Sequence, residues 1–385
     1  MEAYLDNAAT TRVYPEVAEI VRQTMLEDYG NPSSMHRKGV DAEKYMRTAA
    51  ETIANILKVK PKEIFFTSGG TESNNWALFG TALANARRGK HIITTEIEHS
   101  AVAAPCAALE KMGYTVTKLH TDREGHISLA ELEEALTEDT VLVSVMMVNN
   151  EIGTIEPVAQ IGELIRRKAP NTFFHVDAIQ AFGKLRIYPK RMKIDMLSVS
   201  GHKIHGPKGS GFLYVDERVK LNPLIYGGGQ QNGMRSGTDN VPGAAGLGTA
   251  AAKIYATLDE NAEHMYALKE RLAGGLLDLG NVVLHGPKDL REGAPHILNA
   301  SIIGVRAEVM LHTLEDRGIY VSSGSACSSH RRAGSATMVA TKAERDAAES
   351  SIRFSFTELT TEEEIDYTLQ VLREVVPQLR RFVRR

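Results

Sequence analysis

Two short runs, FFHVDAIQ at 173–180 and LSVSGHKIHG at 197–206, place acid, amide, hydroxyl, imidazole and amine groups at the ends of apolar, strand-like stretches. Asp177 closes the first stretch and Gln180 follows it, while Ser200, His202 and Lys203 follow the second. A lysine that can lose its proton can hold an aldehyde as a Schiff base, and a carboxylate facing a pyridine nitrogen turns that ring into an electron sink. Alone, Lys203 is one of 45 basic residues and Asp177 reads equally well as a helix N-cap. Their joint placement favours the chemical reading. Gly201 and Gly206, on either side of the lysine, suit a loop closing over a phosphate.

Other groups fall at comparable places. In FFTSGGTESNN a strand ends at Thr67, the glycine pair ending at Gly70 allows a tight turn, and Thr71 opens a helix whose free amides attract phosphate, although such turns are common. His99, in EIEHSAV, could lie over a cofactor ring, donate a proton, or serve only as a hydrogen-bonding residue. Asn150, in VNNEIG, reads either as a turn residue or as an amide reaching a substrate carboxylate or a ring hydroxyl. Arg353 puts a charge on the strand-like run SIRFSF, as a fork for an α-carboxylate or as half of a buried ion pair.

Cys327 lies in SSGSACSS with no apolar neighbours to bury it, so we expect an exposed, mobile thiol able to attack a soft sulfur atom and hold a persulfide. An inert surface cysteine is the plainer alternative. Cys106 sits in an apolar helical pattern and reads as core. His202 and His205 have no cysteine or carboxylate at ligand spacing, which argues against zinc. Arg380, Arg381, Arg384 and Arg385 read as a solvated basic tail with an acidic protein as a possible partner.

These groups need a scaffold, and between about residues 60 and 215 β-branched runs alternate with helical patterns. The strand-like runs are EIFFT, HIITT, VLVSVMMV, FFHVD, DMLSVS and GFLYV. That alternation predicts an α/β fold with a mostly parallel sheet whose ligands gather beyond the carboxyl ends of the strands. A helical pattern over Ala244 to Leu279, the runs HILNASII and SIRFSF, and a last helix from Thr361 predict a smaller α/β domain. The N-terminal dozen residues should pack with one of the two.

A chain of 385 residues, 43% hydrophobic, is long enough for two domains, and a net charge of -3 with mixed signs provides no field to gather nucleic acid or an anionic membrane. No apolar run reaches the roughly 18 residues of a membrane span, and the N-terminus does not resemble a signal peptide. Two cysteines build no disulfide framework, so a reducing cytoplasm and a small-molecule substrate are expected.

Taken in order, YLDNAATT, GNPSSMH, SGGTESNN, EHSAV, NNEIG, VDAIQ, SGHKIHGPKG, GGGQQNGMRSGTDN, SSGSACSS and SIRFSF resemble the cysteine desulfurases of the NifS and IscS type. These belong to the class V branch of fold-type I pyridoxal-phosphate enzymes. The resemblance implies a seven-stranded, mostly parallel sheet in a large cofactor-binding domain over 14–255. It implies a small domain from 1–13 plus 256–385, carrying a mobile cysteine loop at about 322–340.

It also implies pyridoxal 5'-phosphate on Lys203, Asp177 on the pyridine nitrogen, Gln180 on the ring hydroxyl and His99 stacked on the ring. Gly70, Thr71, Ser200 and His202 would hold the phosphate. Thr238 would reach the phosphate of a neighbouring subunit, hence a homodimer with composite sites. Asn150 and Arg353 would hold the carboxylate of L-cysteine. Cys327 would take the sulfur, release alanine, and pass the persulfide to an iron–sulfur scaffold or another sulfur-acceptor protein.

Arg12, Asp239 and the stretch HRRAGSATMVATKAE after Cys327 depart from the family's pattern, which bears on the movement of the loop and its choice of acceptor. Selenocysteine lyase, a class V aminotransferase and a catalytically silent docking protein are the alternative readings.

Overall fold

The computed structural model describes residues 1–323 and 335–381. Its strands, in chain order, are β1 (Ala3–Tyr4), β2 (Ile64–Thr67), β3 (His91–Thr95), β4 (Thr115–Leu119), β5 (Thr140–Met146), β6 (Phe173–Asp177), β7 (Met196–Ser200), β8 (Gly211–Val215), β9 (Val282–His285), β10 (Ile297–Ile302), β11 (Ile319–Tyr320), β12 (Ser322–Ser323) and β13 (Ser351–Ser355). Seven of them form one sheet in the order β2-β8-β7-β6-β5-β3-β4. All run in one direction except β8, which is antiparallel to both its neighbours. The mostly parallel α/β fold is therefore as expected.

β5 and β7 are buried at every residue, which is why they read as continuous apolar runs rather than alternating ones. Val143 and Leu197 pack into a core on one face with Phe174 and Phe212. Leu142 and Met196 pack into a second core with Trp76 and Cys106. Burial pushes the Cys106 thiol up to about 12, so it is an inert core residue, as its pattern predicts. The edge strand β4 escapes the sequence reading: TVTKL carries polar residues and is only partly buried.

A four-stranded antiparallel sheet, β12-β13-β10-β9, packs with the helices Leu258–Leu277 and Glu362–Arg380 around a separate core containing Leu268, Leu298, Phe354 and Leu372. The helical pattern expected over Ala244 to Leu279 is two helices, Val241–Ala256 and Leu258–Leu277, broken at Thr257. The last helix begins as predicted, with Thr361 closing a capping box against Glu364.

The N-terminal segment does not join one side only. β1 pairs with β11, and the chain then meets β13, where Ser355 N–H donates to the Leu5 carbonyl at 2.7 Å. Farther on, Thr11 N–H donates to the His202 carbonyl at 2.9 Å and Tyr14 N–H to the His205 carbonyl at 3.2 Å. This strap ties the small sheet to the loop that carries Lys203.

Arg380 is not a solvated tail residue. Its guanidinium donates to the carbonyls of Ile303, Leu279, Gly280 and Asn281 at 2.7–3.2 Å. The isolated basic run hid this because backbone acceptors leave no mark in a sequence. Arg384 and Arg385 lie outside the described residues.

Glu156 closes the turn after β5, where it is 2% exposed and one oxygen accepts from Ile127 N–H at 3.2 Å. Burial pushes its carboxyl up to about 8. A folded-state value above the unfolded one means that the folded chain keeps a proton the unfolded chain releases. The resulting stability is present below the usual carboxylate range and is lost as pH rises toward about 8, by at most about 1.4 kcal/mol per pH unit. Glu156→Gln should therefore gain stability relative to the parent between about pH 5 and about pH 9 in urea denaturation; an equal difference at both pH values would contradict this.

Candidate active site

The parallel strands deliver their carboxyl ends to one edge of the sheet, and the predicted residues meet there around a cavity of about 460 Å3. Lys203 and Asp177 both line it, with Ser200, His202, Gly70 and Thr71 in the same wall. His99, Gln180, Asn150 and Arg353 line it as well. Thr238 is exposed and is not among the lining residues. Cys327 lies outside the described residues, but Ser323, the last described residue before it, borders the cavity.

Asp177 ends β6 as a nearly buried carboxylate. Its Oδ2 accepts from Asn74 Nδ2 at 2.7 Å and its Oδ1 from Ile179 N–H at 3.0 Å. Burial raises its affinity for a proton, while these two donors, His99 and Lys203 oppose that rise. A cation or an N–H donor in the cavity would complete the carboxylate's surroundings. Nearby Glu98, its Oε1 held by Met146 N–H at 2.8 Å and Thr95 at 3.0 Å, is pushed well above the usual range by burial and then by Asp177. Burial and Asp177 thus both disfavour a second negative charge on Glu98 beside Asp177.

Lys203 lies in the short helical turn after β7, and its Nζ donates to the Ala8 and Ala9 carbonyls, each at 2.6 Å. Gln180 shares the first of these acceptors: its Nε2 donates to Ala8 O at 2.9 Å, and its Oε1 faces His296 Nε2 at 3.1 Å. Burial and the surrounding cations hold His296 neutral, well below its ordinary range, so its Nε2–H is the donor. That contact orients the Gln180 amide and leaves a second amide hydrogen for a ligand.

The turn between β2 and the helix Gly70–Asn75 requires glycine. Gly69 has φ +146°, and a Cβ on Gly211 would lie 2.7 Å from the Gly69 Cα and 2.6 Å from the Val199 carbonyl. This close approach brings the helix start beside Ser200, near His202. The His202 ring meets Thr10 Oγ1 at 3.2 Å and is pushed down to about 4, first by burial and then by Lys203 and Lys208. Among the described residues no cluster could hold a metal ion.

His99 is the N-cap of the helix Ser100–Lys111, with Nδ1 accepting from Ala101 N–H at 3.1 Å. An accepting Nδ1 puts the proton of the neutral ring on Nε2. Burial lowers the His99 pKa, with Asp177 opposing and Lys203 adding to the shift. Arg353 shows both of its expected features: it lines the cavity, and it is paired. Its guanidinium donates to Asn150 O at 2.8 Å and to Asp6 Oδ1 at 2.9 Å, while its buried Nε has no hydrogen-bond partner among the described residues.

Sequence reasoning passed over Asn74, Asp6, Glu98, Glu151 and His296. All five stand inside quoted runs, so a reading of every polar position in those runs would have found them. The Ala8 and Ala9 carbonyls carry no side-chain signal at all.

A lysine amine and a buried carboxylate line one cavity at the carboxyl ends of a mostly parallel sheet, which defines a ligand-binding α/β fold. The aminotransferase class-V family model matches residues 3–368, and the chain belongs to that family. It is 46% identical over 382 residues to a cysteine desulfurase IscS of Escherichia coli O139:H28 (strain E24377A / ETEC), covering 98% of this chain and 93% of the relative. A solved structure described as a NifS-like protein matches with TM-score 0.93 and 40% identity, covering 98% of this chain and all of that one. Another, described as "SspA in complex with cysteine", matches with TM-score 0.80 and 33% identity over 93% of this chain and 100% of its own.

Nitrogen NMR of histidine-labelled protein should show His99 staying neutral to lower pH than an ordinary histidine, with Nδ1 unprotonated and Nε2 carrying the hydrogen. Protonation in the ordinary histidine range, or a hydrogen on Nδ1 of the neutral ring, would contradict this geometry.

Proposed function

We propose that this chain is a cysteine desulfurase that holds pyridoxal 5'-phosphate on Lys203 and collects sulfur from L-cysteine on Cys327. The observation that carries the reading is the placement of Lys203 and Asp177 on one cavity, with Asn74 and Ile179 directing their N–H groups at the carboxylate. The donor set fits the cofactor. Asp177 suits the pyridine nitrogen, Gln180 the ring hydroxyl, and the backbone at Gly70 and Thr71, with Ser200 and His202, the phosphate. When bound, the cofactor supplies an aldehyde that condenses with amines and a ring that draws electrons from the substrate's α-carbon.

The chain's own groups divide the remaining tasks. Arg353 and Asn150 hold the substrate carboxylate. The Lys203 amine, once released, takes the α-proton, and the Ala8 and Ala9 carbonyls stand ready to accept from the resulting ammonium. His99 presents Nε2–H as a proton donor. The Cys327 thiolate attacks the substrate sulfur, the electron pair of the broken carbon–sulfur bond stays on the β-carbon and is protonated there, and Lys203 returns a proton to the α-carbon, so alanine leaves and the persulfide remains on the protein.

The reading includes a homodimer, with Thr238 serving the neighbouring site, and transfer of the persulfide to an iron–sulfur scaffold or another acceptor protein. Large exposed apolar residues, Met35, Tyr29 and Tyr226, support a second copy as their cover. It also includes a large domain over 14–255, a small one from 1–13 plus 256–385, and a reducing cytoplasm that keeps Cys327 a thiol. No helix among the described residues is long and apolar enough to cross a membrane.

The purified yellow protein should release alanine from L-cysteine. Lys203→Ala should lose the Schiff-base absorption, and Cys327→Ser should lose most alanine formation while keeping that absorption. Parental turnover in Cys327→Ser, or an unchanged spectrum in Lys203→Ala, would overturn the corresponding assignment.

A further inference from the structure

Glu151 belongs to the same NNEIG turn as Asn150 and lines the same cavity, yet the reaction outlined above assigns it nothing. Its carboxylate faces hydroxyls of Ser335 and Thr337. Ser335 Oγ donates to Glu151 Oε2, and Thr337 Oγ1 to Oε1 at 3.3 Å. Ser335 is also the N-cap of the helix Ala336–Ala340, its Oγ accepting from Met338 N–H at 3.1 Å.

The direction of these bonds follows from groups with no choice of role. Asn149 Oδ1 accepts from the backbone N–H of Glu151 and Ile152 at 2.9 and 3.0 Å, which fixes the side-chain amide. Asn149 Nδ2 then faces Thr337 Oγ1 at 3.4 Å as a donor, leaving the threonine hydrogen for Glu151. Ser335 Oγ likewise accepts from a backbone N–H and keeps its hydrogen for Glu151. Two donor chains thus end on one acceptor, the pattern that suits a carboxylate. Arg353, on β13, is the cation that acts on it. Burial opposes the charge, while Ser335, Arg353 and Thr337 favour it, in that order.

On the other side of Cys327 the chain is held at the same cavity. Ser322 Oγ donates to Asp6 Oδ1 at 2.7 Å, and β12 pairs with β13 opposite Arg353.

We propose that Glu151 is a positioning residue for the sulfur-transfer half of the reaction: its carboxylate fastens the helix Ala336–Ala340 to the cavity wall and so sets where the chain carrying Cys327 returns to the fold. The role rests on the cysteine desulfurase reading for its catalytic consequence, but the fastening itself does not depend on that reading. Glutamine at this position keeps the size and one acceptor, but meets the second hydroxyl with an N–H group.

The test uses the holoenzyme and its Glu151→Gln and Glu151→Asp variants, with two readouts. In hydrogen exchange, Met338 to Thr341 should lose roughly tenfold or more of their protection in Glu151→Gln, the weight of one hydrogen bond to a charged group. In alanine formation, kcat should fall by a comparable factor while the KM for L-cysteine stays within about twofold, because Arg353 keeps its hydrogen bonds to Asn150 and Asp6. Glu151→Asp, which restores the charge, should recover part of both. Unchanged exchange in Glu151→Gln would overturn the fastening. A raised KM with parental kcat would instead make Glu151 a substrate-binding group and would also overturn the proposal. If the parent forms no alanine, the cysteine desulfurase reading fails, and the exchange result still decides the fastening.

Discussion

A carboxylate kept in a nearly dry place is the constraint on which the site depends. Asp177 can serve as the counter-charge to a ring only if something resists the proton that burial would put on it. Asn74 and the Ile179 N–H supply that resistance directly, and the amine of Lys203 and the His99 ring supply it through space. Burial also disfavours charge on Glu98, the competing carboxylate nearby. The sheet has to bring these groups together because they come from separate segments: the helix after β2, the turn after β3, the end of β6 and the turn after β7.

A second constraint is the strap from Leu5 to Tyr14. It accepts the Lys203 amine on two carbonyls, shares one of them with Gln180, and hydrogen-bonds to Ser355 on the strand that carries Arg353. The amine and the guanidinium sit on different sheets, and the strap sets their separation. Asp6, at its start, neutralises part of the Arg353 charge and also takes the Ser322 hydroxyl. One short segment therefore touches the proposed cofactor tether, the proposed carboxylate fork and the entrance to the chain that bears Cys327.

Much of this was legible in the residues. Buried parallel strands announce themselves as apolar runs, and side chains at or just beyond their ends are where such folds place ligands; Lys203, Asp177 and His99 stand out that way, and Arg353 stands out as a charge on a strand-like run. The edge strand β4 was missed because solvent exposure dilutes its pattern. Asn74 and Glu151 were missed because their partners, Asp177 and Ser335, are 103 and 184 residues away in the chain. Arg380 was misjudged because its partners are carbonyls. Contacts between backbone and distant side chains are products of the fold, and no local pattern encodes them.

The central claim is that the buried carboxylate and the sulfur nucleophile act on one substrate. Mass spectrometry of the peptide containing Cys327, after brief exposure of cofactor-loaded protein to L-cysteine, tests it most directly when the parent is compared with Asp177→Asn. One added sulfur on Cys327 in the parent and almost none in the variant, with equal cofactor content, is the expected result. Equal sulfur loading in both proteins would show that the thiol is charged without help from the carboxylate, and would contradict the account.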